Sequence, residues 1–289
     1  NNETENNGID DDNNGYIDDY RGWDFGGLNG TPDNNPMEDA PDHGTHVAGC
    51  ASASTNNGVG VAGIGFNTKV MAVKTSRNDQ RDPSSGAPYI VYGYEGLMYA
   101  AQNGAKVINC SWGGGGYSLL GQNIINDVTN MGSVVIAAAG NESSRDKFYP
   151  AAYNNVLSVA STGSSDTRSS FSNYGYYIDV ASPGSGIYNT WQNNVYTNLS
   201  GTSMASPITA GLVALTMAQF PNLTPLQAAE KVRVSADNID NLNPSFVQLL
   251  GKGRINALRA LQTNDFTSVR SVEAIFSDEV TGNNDGIFQ

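Results

Sequence analysis

The chain has 289 residues and a mass of 30.5 kDa, which suits one large domain or one and a half, because single domains mostly span about 100–200 residues. With 33 Gly, 15% charged and 39% hydrophobic residues, the composition is typical of a loop-rich globular enzyme and excludes a disordered or coiled-coil body. The 28 acidic residues against 15 basic ones give a net charge of −13, so we expect no nucleic acid and no membrane as a partner.

Hydropathy and cysteine content further limit the class of protein to which this chain can belong. The longest apolar run, Val134 to Ala139, falls far short of the roughly 20 residues that a membrane span needs. The Asn-rich, acidic start has no signal-peptide pattern, so we expect a mature or truncated form. Two cysteines, Cys50 and Cys110, cannot build a disulfide framework, and free buried thiols are favoured over a bridge.

Residues 1–42 are dominated by Asn, Asp and Gly, which predicts a long loop region held by something other than a core. From residue 43, short apolar runs rich in β-branched residues predict buried strands. The predicted strands are Lys69 to Lys74, Ala105 to Cys110, Ser133 to Ala139 and Val156 to Ala160. Helical segments from Tyr92 to Gln102 and from Leu119 to Asn130, closed by Gly104 and Gly132, alternate with them. This alternation predicts a parallel sheet covered on both faces.

The C-terminal half continues with a hairpin from Ser185 to Leu199 and a long helix from Thr202 to Gln219. A second helix begins with Thr224 as N-cap and Pro225 as its first residue. A short helix ends near Leu261, and the remaining residues alternate like a strand.

We therefore expect one domain over residues 1–262. Residues 263–289 are predicted to be the start of a C-terminal β module or a linker.

An acidic loop near the N-terminus predicts a calcium site. Carboxylate and amide oxygens at alternate positions, a Gly for the sharp turn and a backbone carbonyl follow the first part of an EF-hand loop. The predicted ligands are Asp10, Asp12, Asn14, the carbonyl of Tyr16, and Asp18 or Asp19. The last EF-hand position would be Arg21, so the loop must close earlier. A solvated acidic loop without an ion is the alternative, although five carboxylates between residues 10 and 19 would repel one another.

Two short motifs predict acyl-transfer chemistry: HGTHVAG at residues 43–49 and GTSMASP at residues 201–207. A serine hydroxyl is a weak nucleophile and needs an imidazole to take its proton. Ser203 at the start of a helix also aims backbone N–H groups and the positive dipole end at a developing oxyanion. We expect His46, three residues after His43, to pack within the helix and not to bind metal.

With AAAGN at residues 137–141 between them, these motifs resemble those of the subtilisin-like serine proteases, and the resemblance runs from about residue 8 to about residue 262. It implies a three-layer α/β fold with a mostly parallel central sheet covered by helices on both faces. It also implies a secreted, monomeric, calcium-stabilised endopeptidase that acts on protein or peptide substrates. In that family's terms Ser203 is the nucleophile, His43 the general base and then acid, and Asn141 a side-chain donor to the oxyanion.

The resemblance further implies a groove that binds an extended peptide between two segments, residues 86–90 and 111–113. Trp112, with Ile90 and Gly93, would frame the pocket four residues before the cut. The primary pocket would be lined by Ser111, Trp112, Gly113, Ala138 and Gly140, with Phe148 at its base. Because many relatives have Gly or Ser at that last position, we expect small residues before the scissile bond.

The chain departs from the family pattern in one respect, the acid of the triad. No Asp-Ser/Thr-Gly turn precedes His43, and the nearest substitutes, Asp24 and Asp42, do not fit the role. Because the family's acid-bearing strand lies inside the sheet, its loss would orphan hydrogen bonds on two neighbours. We therefore expect the acid-bearing strand to lie upstream of Asn1, either unsequenced, on a separate N-terminal fragment, or removed. A catalytically silent homologue that acts as a binding or scaffold module is the alternative, and an esterase is less favoured because the groove motifs suit extended peptide.

Overall fold

The structure, a computed structural model, describes residues 3–28, 30–37, 43–83, 86–262 and 268. The predicted C-terminal module and Asp42 therefore lie outside the described residues, apart from Ser268. The strands are β1 (Gly22–Leu28), β2 (Thr31–Asp33), β3 (Ala72–Lys74), β4 (Ser76–Arg81), β5 (Pro88–Ile90), β6 (Val107–Cys110), β7 (Val134–Ala138), β8 (Val156–Thr162), β9 (Val180–Pro183), β10 (Ile187–Trp191) and β11 (Val195–Leu199). The α-helices are α1 (His43–Ser52), α2 (Gly93–Gln102), α3 (Leu119–Asn130), α4 (Thr202–Gln219), α5 (Pro225–Val234) and α6 (Ala257–Ala260).

A parallel sheet with the order β6-β7-β8-β9 forms the centre of the molecule. Side chains of β7 alternate between its faces: Val134 and Ile136 join the core cluster that includes residues of α4 and α5, whereas Val135 and Ala137 join the cluster that includes residues of α2 and α3. Because helices cover both faces, β7 and β8 are buried along their whole length. The predicted three-layer α/β fold is confirmed.

The helix bounds agree closely with the sequence patterns. Thr224 forms a complete capping box with Gln227 at the start of α5, and Gly104 and Gly132 take positive φ angles of 83° and 86° just beyond α2 and α3, as helix-ending glycines do. None of the helices in the described part of the chain is long and apolar enough to cross a bilayer.

A second sheet, with the order β2-β1-β3, holds part of the predicted N-terminal loop region. The loop prediction is wrong for residues 22–28 and 31–33, which form β1 and β2. A buried ion pair holds β1, and its glycines mask the apolar alternation typical of a strand. The Asp24 carboxylate accepts hydrogen bonds from the N–H groups of Gly26 and Gly27, each at 2.8 Å, and lies 2.6 Å from Nζ of Lys74 on β3. Through this pair β1 and β3 are joined side by side and in parallel.

The two sheets have facing edges at β3 and β6. Within the described residues, β3 pairs only with β1 and β6 only with β7. Helix α2 packs against both β3 and β6. All of β3 and alternate residues of β6 are only half-buried, in contrast to β7 and β8. An interval between the two sheets thus lies beneath α2.

We predict that Asp24→Ala lowers the free energy of unfolding by about 3–5 kcal/mol, because it removes the carboxylate that pairs with the ammonium group of Lys74, which is only 7% exposed. Urea denaturation measures the change. Arg21→Ala is the control: its pair with Glu5 has side chains 65% and 56% exposed and should contribute less than about 1 kcal/mol. Equal effects of the two substitutions would contradict a structural role for the buried pair.

Candidate active site

Ser203 lies in the first turn of α4, half-buried at the end of the central sheet. Its Oγ donates a hydrogen bond to the carbonyl oxygen of Ser111 at 3.2 Å, and Oγ of Ser111 donates to the carbonyl oxygen of Ser203 at 2.8 Å. The first N–H groups of a helix have no partner within the helix. The hydroxyl therefore lies where free backbone donors and the positive end of the helix dipole meet.

A further polar link joins the first turn of α4 to β6. Oγ of Ser206 donates to Oδ1 of Asn109 at 2.7 Å, and Nδ2 of Asn109 donates to Oγ of Ser111 at 2.9 Å. The sequence analysis did not single out Asn109. The available signal was a polar residue inside the otherwise apolar strand of residues 107–110, which suggests that its side chain has a specific partner.

His43 is the first residue of α1 and is exposed. Helix α1 packs against α4, closely enough that a Cβ atom at Gly211 would lie 2.8 Å from the carbonyl oxygen of Ala51. Gly211 follows Ser203 by the same number of residues as Ala51 follows His43. The predicted base and nucleophile thus begin two helices that are in direct contact.

His46 is fully buried and holds the β10–β11 hairpin. Its Nε2 lies 3.0 Å and 3.2 Å from the carbonyl oxygens of Ile187 and Thr197, and its Nδ1 lies 3.7 Å from Sγ of Cys50. The structure therefore gives His46 a packing role. The prediction of free, buried thiols is confirmed for Cys50 and Cys110, and burial raises the pKa of Cys50 to about 12.

Asn141 follows β7 and has its side-chain oxygen bound to the residue before Ser203. Oδ1 accepts hydrogen bonds from the backbone N–H of Thr202 at 2.9 Å and from its hydroxyl at 3.0 Å. The Thr202 hydroxyl also accepts a bond from the N–H of Gly140 at 3.2 Å. With Oδ1 held in this way, the amide group of Asn141 presents Nδ2, a donor only, on its other side.

The residues of the predicted groove lie against one another. A Cβ at Gly93 would lie 2.6 Å from Cη2 of Trp112, so the indole ring covers this glycine. A Cβ at Gly113 would lie 2.4 Å from Cε1 of Phe148. The ring of Phe148 therefore packs on one wall of the predicted primary pocket, while Ala138, at the end of β7, is 2% exposed.

Of the two substitute acids, Asp24 does not take a triad position. Asp24 is 2% exposed and bound to Lys74, so its carboxylate is committed to joining β1 and β3. Asp42 lies outside the described residues.

Several of the predicted calcium ligands are engaged within the acidic loop itself. Asp10 accepts from the N–H groups of Asn14 and Gly15 at 3.0 and 2.8 Å. Asp18 accepts from the N–H groups of Asn7 and Gly8, both at 2.9 Å. The Oδ1 atom of Asn14 accepts a hydrogen bond from the N–H of Tyr16. The ring of Tyr16 packs against Trp23, Phe25 and Tyr99.

Asp12 and Asp19 instead meet at a cluster that includes Glu3. One carboxylate oxygen from each of these three residues lies within 4.8 Å of the other two. Oε2 of Glu3 and Oδ1 of Asp12 are buried without a hydrogen-bond partner. Unpaired buried carboxylate oxygens are costly, and hard cations such as calcium bind oxygen donors of this kind. The sequence analysis missed Glu3, because it precedes the loop and follows none of its spacing.

Comparisons with known proteins identify the family. The sequence model of the Subtilase family matches residues 5–253. Thermitase from Thermoactinomyces vulgaris is 43% identical over 242 residues, which cover 83% of this chain and 80% of that protein. Subtilisin BL from Lederbergia lenta is 34% identical over 232 residues, covering 80% and 82%.

Solved structures of proteases superpose on this chain as well. A protease of Pseudoalteromonas arctica PAMC 21717 superposes with a TM-score of 0.67 and 33% identity over 76% of this chain and 70% of that one. The prenylagaramide maturation protease PagA superposes with a TM-score of 0.66 and 26% identity, covering 76% and 80%.

Proposed function

Because the chain belongs to the subtilase family of serine endopeptidases, we propose that it cleaves peptide bonds through an acyl-enzyme on Ser203. His43 acts as the base and Asn141 as an oxyanion donor. The observation that carries this assignment is the pair of hydrogen bonds from Thr202 to Oδ1 of Asn141. They hold the donor end of the amide beside the residue that supplies the hydroxyl.

In the proposed reaction Oγ of Ser203 forms a bond to the scissile carbonyl carbon while its proton passes to His43. The carbonyl oxygen becomes an oxyanion that accepts from the N–H of Ser203 and Nδ2 of Asn141. The carbon–nitrogen bond then breaks as His43 returns the proton to the leaving amine, and water releases the acyl group by the same steps. Because the Ser203 hydroxyl donates to the carbonyl of Ser111 in this structure, it must rotate toward His43 before attack.

We propose that the triad acid enters on a strand that pairs with both β3 and β6. Each of these strands already pairs in parallel with one neighbour, β3 with β1 and β6 with β7. Helix α2 packs over both strands, and the added strand would bury their half-buried residues. An added strand would satisfy the free backbone groups of both edges. The source that we propose is sequence upstream of Asn1, either continuous with this chain or on a separate N-terminal fragment.

We also propose that Glu3, Asp12 and Asp19 bind calcium, since their oxygens converge and two of them are buried without a partner. The donors predicted from sequence, Asp10 and Asp18, then shape the loop through their bonds to backbone N–H groups. Extracellular action and a monomeric state stay predictions from the resemblance.

The first test concerns the nucleophile and the acid-bearing strand. We predict that the chain extended by its natural upstream sequence hydrolyses casein and reacts with a fluorophosphonate, and that Ser203→Ala abolishes both. The 289-residue chain alone should be slower by about 10⁴, the cost of a disabled triad acid. Full activity of this chain alone would contradict the separate strand and make Asp42 the acid to test. No labelling of either protein would favour the silent homologue.

The second test concerns calcium. We predict that chelation with EGTA lowers the unfolding temperature, since an ion at a hundredfold excess over its dissociation constant stabilises by about 2.7 kcal/mol. Glu3→Gln should abolish this response. Glu5→Gln is the matched control, because Glu5 is exposed and bonded to Tyr20 and Arg21. Loss of the response in Asp10→Asn but not in Glu3→Gln would instead support the ligands predicted from sequence.

The third test concerns specificity. The ring of Phe148 fills space beside Gly113, and overpacking a preformed pocket costs about 1–3 kcal/mol. We predict that peptides with Ala before the scissile bond are cleaved about tenfold faster than those with Phe, since about 1.4 kcal/mol corresponds to tenfold. Phe148→Gly should reverse the preference, and Phe66→Gly, at an exposed position outside the groove, should not. A parent enzyme that prefers Phe would refute the filled pocket.

A further inference from the structure

Asn173, in the segment between β8 and β9, has a buried side chain that bonds to the loop that follows β7. It is 2% exposed. Its Oδ1 accepts from the N–H groups of Glu142 and Ser144, both at 3.0 Å. Its Nδ2 donates to the carbonyl oxygen of Ala139 at 3.0 Å and to Oε2 of Glu142 at 2.7 Å. The amide therefore uses both its acceptor and its donor capacity on one loop.

The partners of Asn173 lie on both sides of Asn141. The backbone N–H of Asn173 also donates to the carbonyl oxygen of Gly140 at 3.0 Å. Gly140 has φ +103°, and a Cβ there would lie 2.3 Å from Nδ2 of Asn173, so only glycine lets the loop pass this close. The main chain before and after Asn141 is thus attached to one buried residue.

Asn141 is consequently held at two points: its side chain by Thr202 and its main chain by Asn173. Oxyanion stabilisation requires donors within about 2.7–3.1 Å of the developing charge, and a shift of about 1 Å can cost about 10² in rate. We propose that Asn173 is a positioning residue that sets the location of the Asn141 amide for catalysis. The inference rests on the proposed role of Asn141 as an oxyanion donor.

A buried asparagine with a purely structural role would behave differently. Such a residue changes the stability of the protein but not the turnover of each folded molecule. Asn243 provides the matched control: it is 4% exposed, and its side chain bonds to the main chain of Arg168, Asp166 and Ile239 at 2.7, 3.0 and 2.9 Å. None of these partners belongs to residues 139–144.

The test is a double-mutant cycle in the upstream-extended enzyme, with kcat and KM measured on a peptide anilide and active sites counted by titration. Asn141→Ala should lower kcat by about 10²–10³. Asn173→Ala should lower kcat by about 10–100-fold with little change in KM. The double variant should match Asn141→Ala within about threefold, because a residue that acts through Asn141 then has nothing left to position. Asn243→Ala should lower the unfolding midpoint and keep kcat.

A second pair of variants covers the case in which Asn173→Ala does not fold. Asn173→Asp keeps the size and the acceptor but places an oxygen against the carbonyl of Ala139 and Oε2 of Glu142. We expect kcat to fall by more than about tenfold. Adding Glu142→Gln supplies an amide donor in place of one repelling oxygen, and kcat should partly recover.

Losses that multiply in the double variant, or an unchanged kcat in a folded Asn173 variant, would overturn the positioning role while leaving that of Asn141 intact. If Asn141→Ala itself keeps the parental kcat, the proposed oxyanion donor fails, and the inference about Asn173 fails with it.

Discussion

The attachment of the first turn of α4 to the carboxyl ends of β6 and β7 is the constraint on which the candidate site depends. Ser111 binds Ser203 from β6, and Asn141 binds Thr202 from the end of β7. The Thr202 N–H is one of the donors that a helix start leaves unpaired. The Ser203 carbonyl lacks its usual helical donor because the residue four positions on is Pro207, so the two contacts satisfy both groups and hold the turn that carries the hydroxyl. The mostly apolar remainder of α4, packed on the sheet, prevents this turn from sliding.

A second constraint operates in the N-terminal part, where α2 connects three features. It packs on β3 and on β6, and its Tyr99 hydroxyl donates to Asp19 at 2.5 Å. Burial, with this bond to Asp19, raises the pKa of Tyr99, so the phenol stays a donor to the carboxylate. Nδ2 of Asn14 donates a hydrogen bond at 2.8 Å to Oδ1 of Asn103, which lies just beyond the same helix. The acidic loop is therefore attached to the helix that covers the interval between the two sheets.

The loop after β7 is held by hydrogen bonds and packs closely against the predicted groove. The buried side chain of Asn173 bonds to the main chain of this loop, and Thr202 on α4 bonds to the side chain of Asn141. The same loop leads to Phe148, whose ring packs on Gly113. The proposed oxyanion donor and the proposed wall of the primary pocket thus belong to one segment of chain, which begins where β7 ends.

Sequence patterns predict the family, the three-layer architecture, most helix bounds, the strands β6 to β8, and the motifs around His43, Asn141 and Ser203. These rest on local signals: apolar periodicity, helix caps and short motifs are complete within a few neighbouring residues. The folded structure was needed to show that Asp24 pairs with Lys74, that Glu3 joins Asp12 and Asp19, and that Asn109 and Asn173 bond to segments of the candidate site. Each of these side chains has partners on a different element or outside its own loop. The spacing of polar residues along a chain does not indicate which distant group will neutralise or hydrogen-bond them once they are buried.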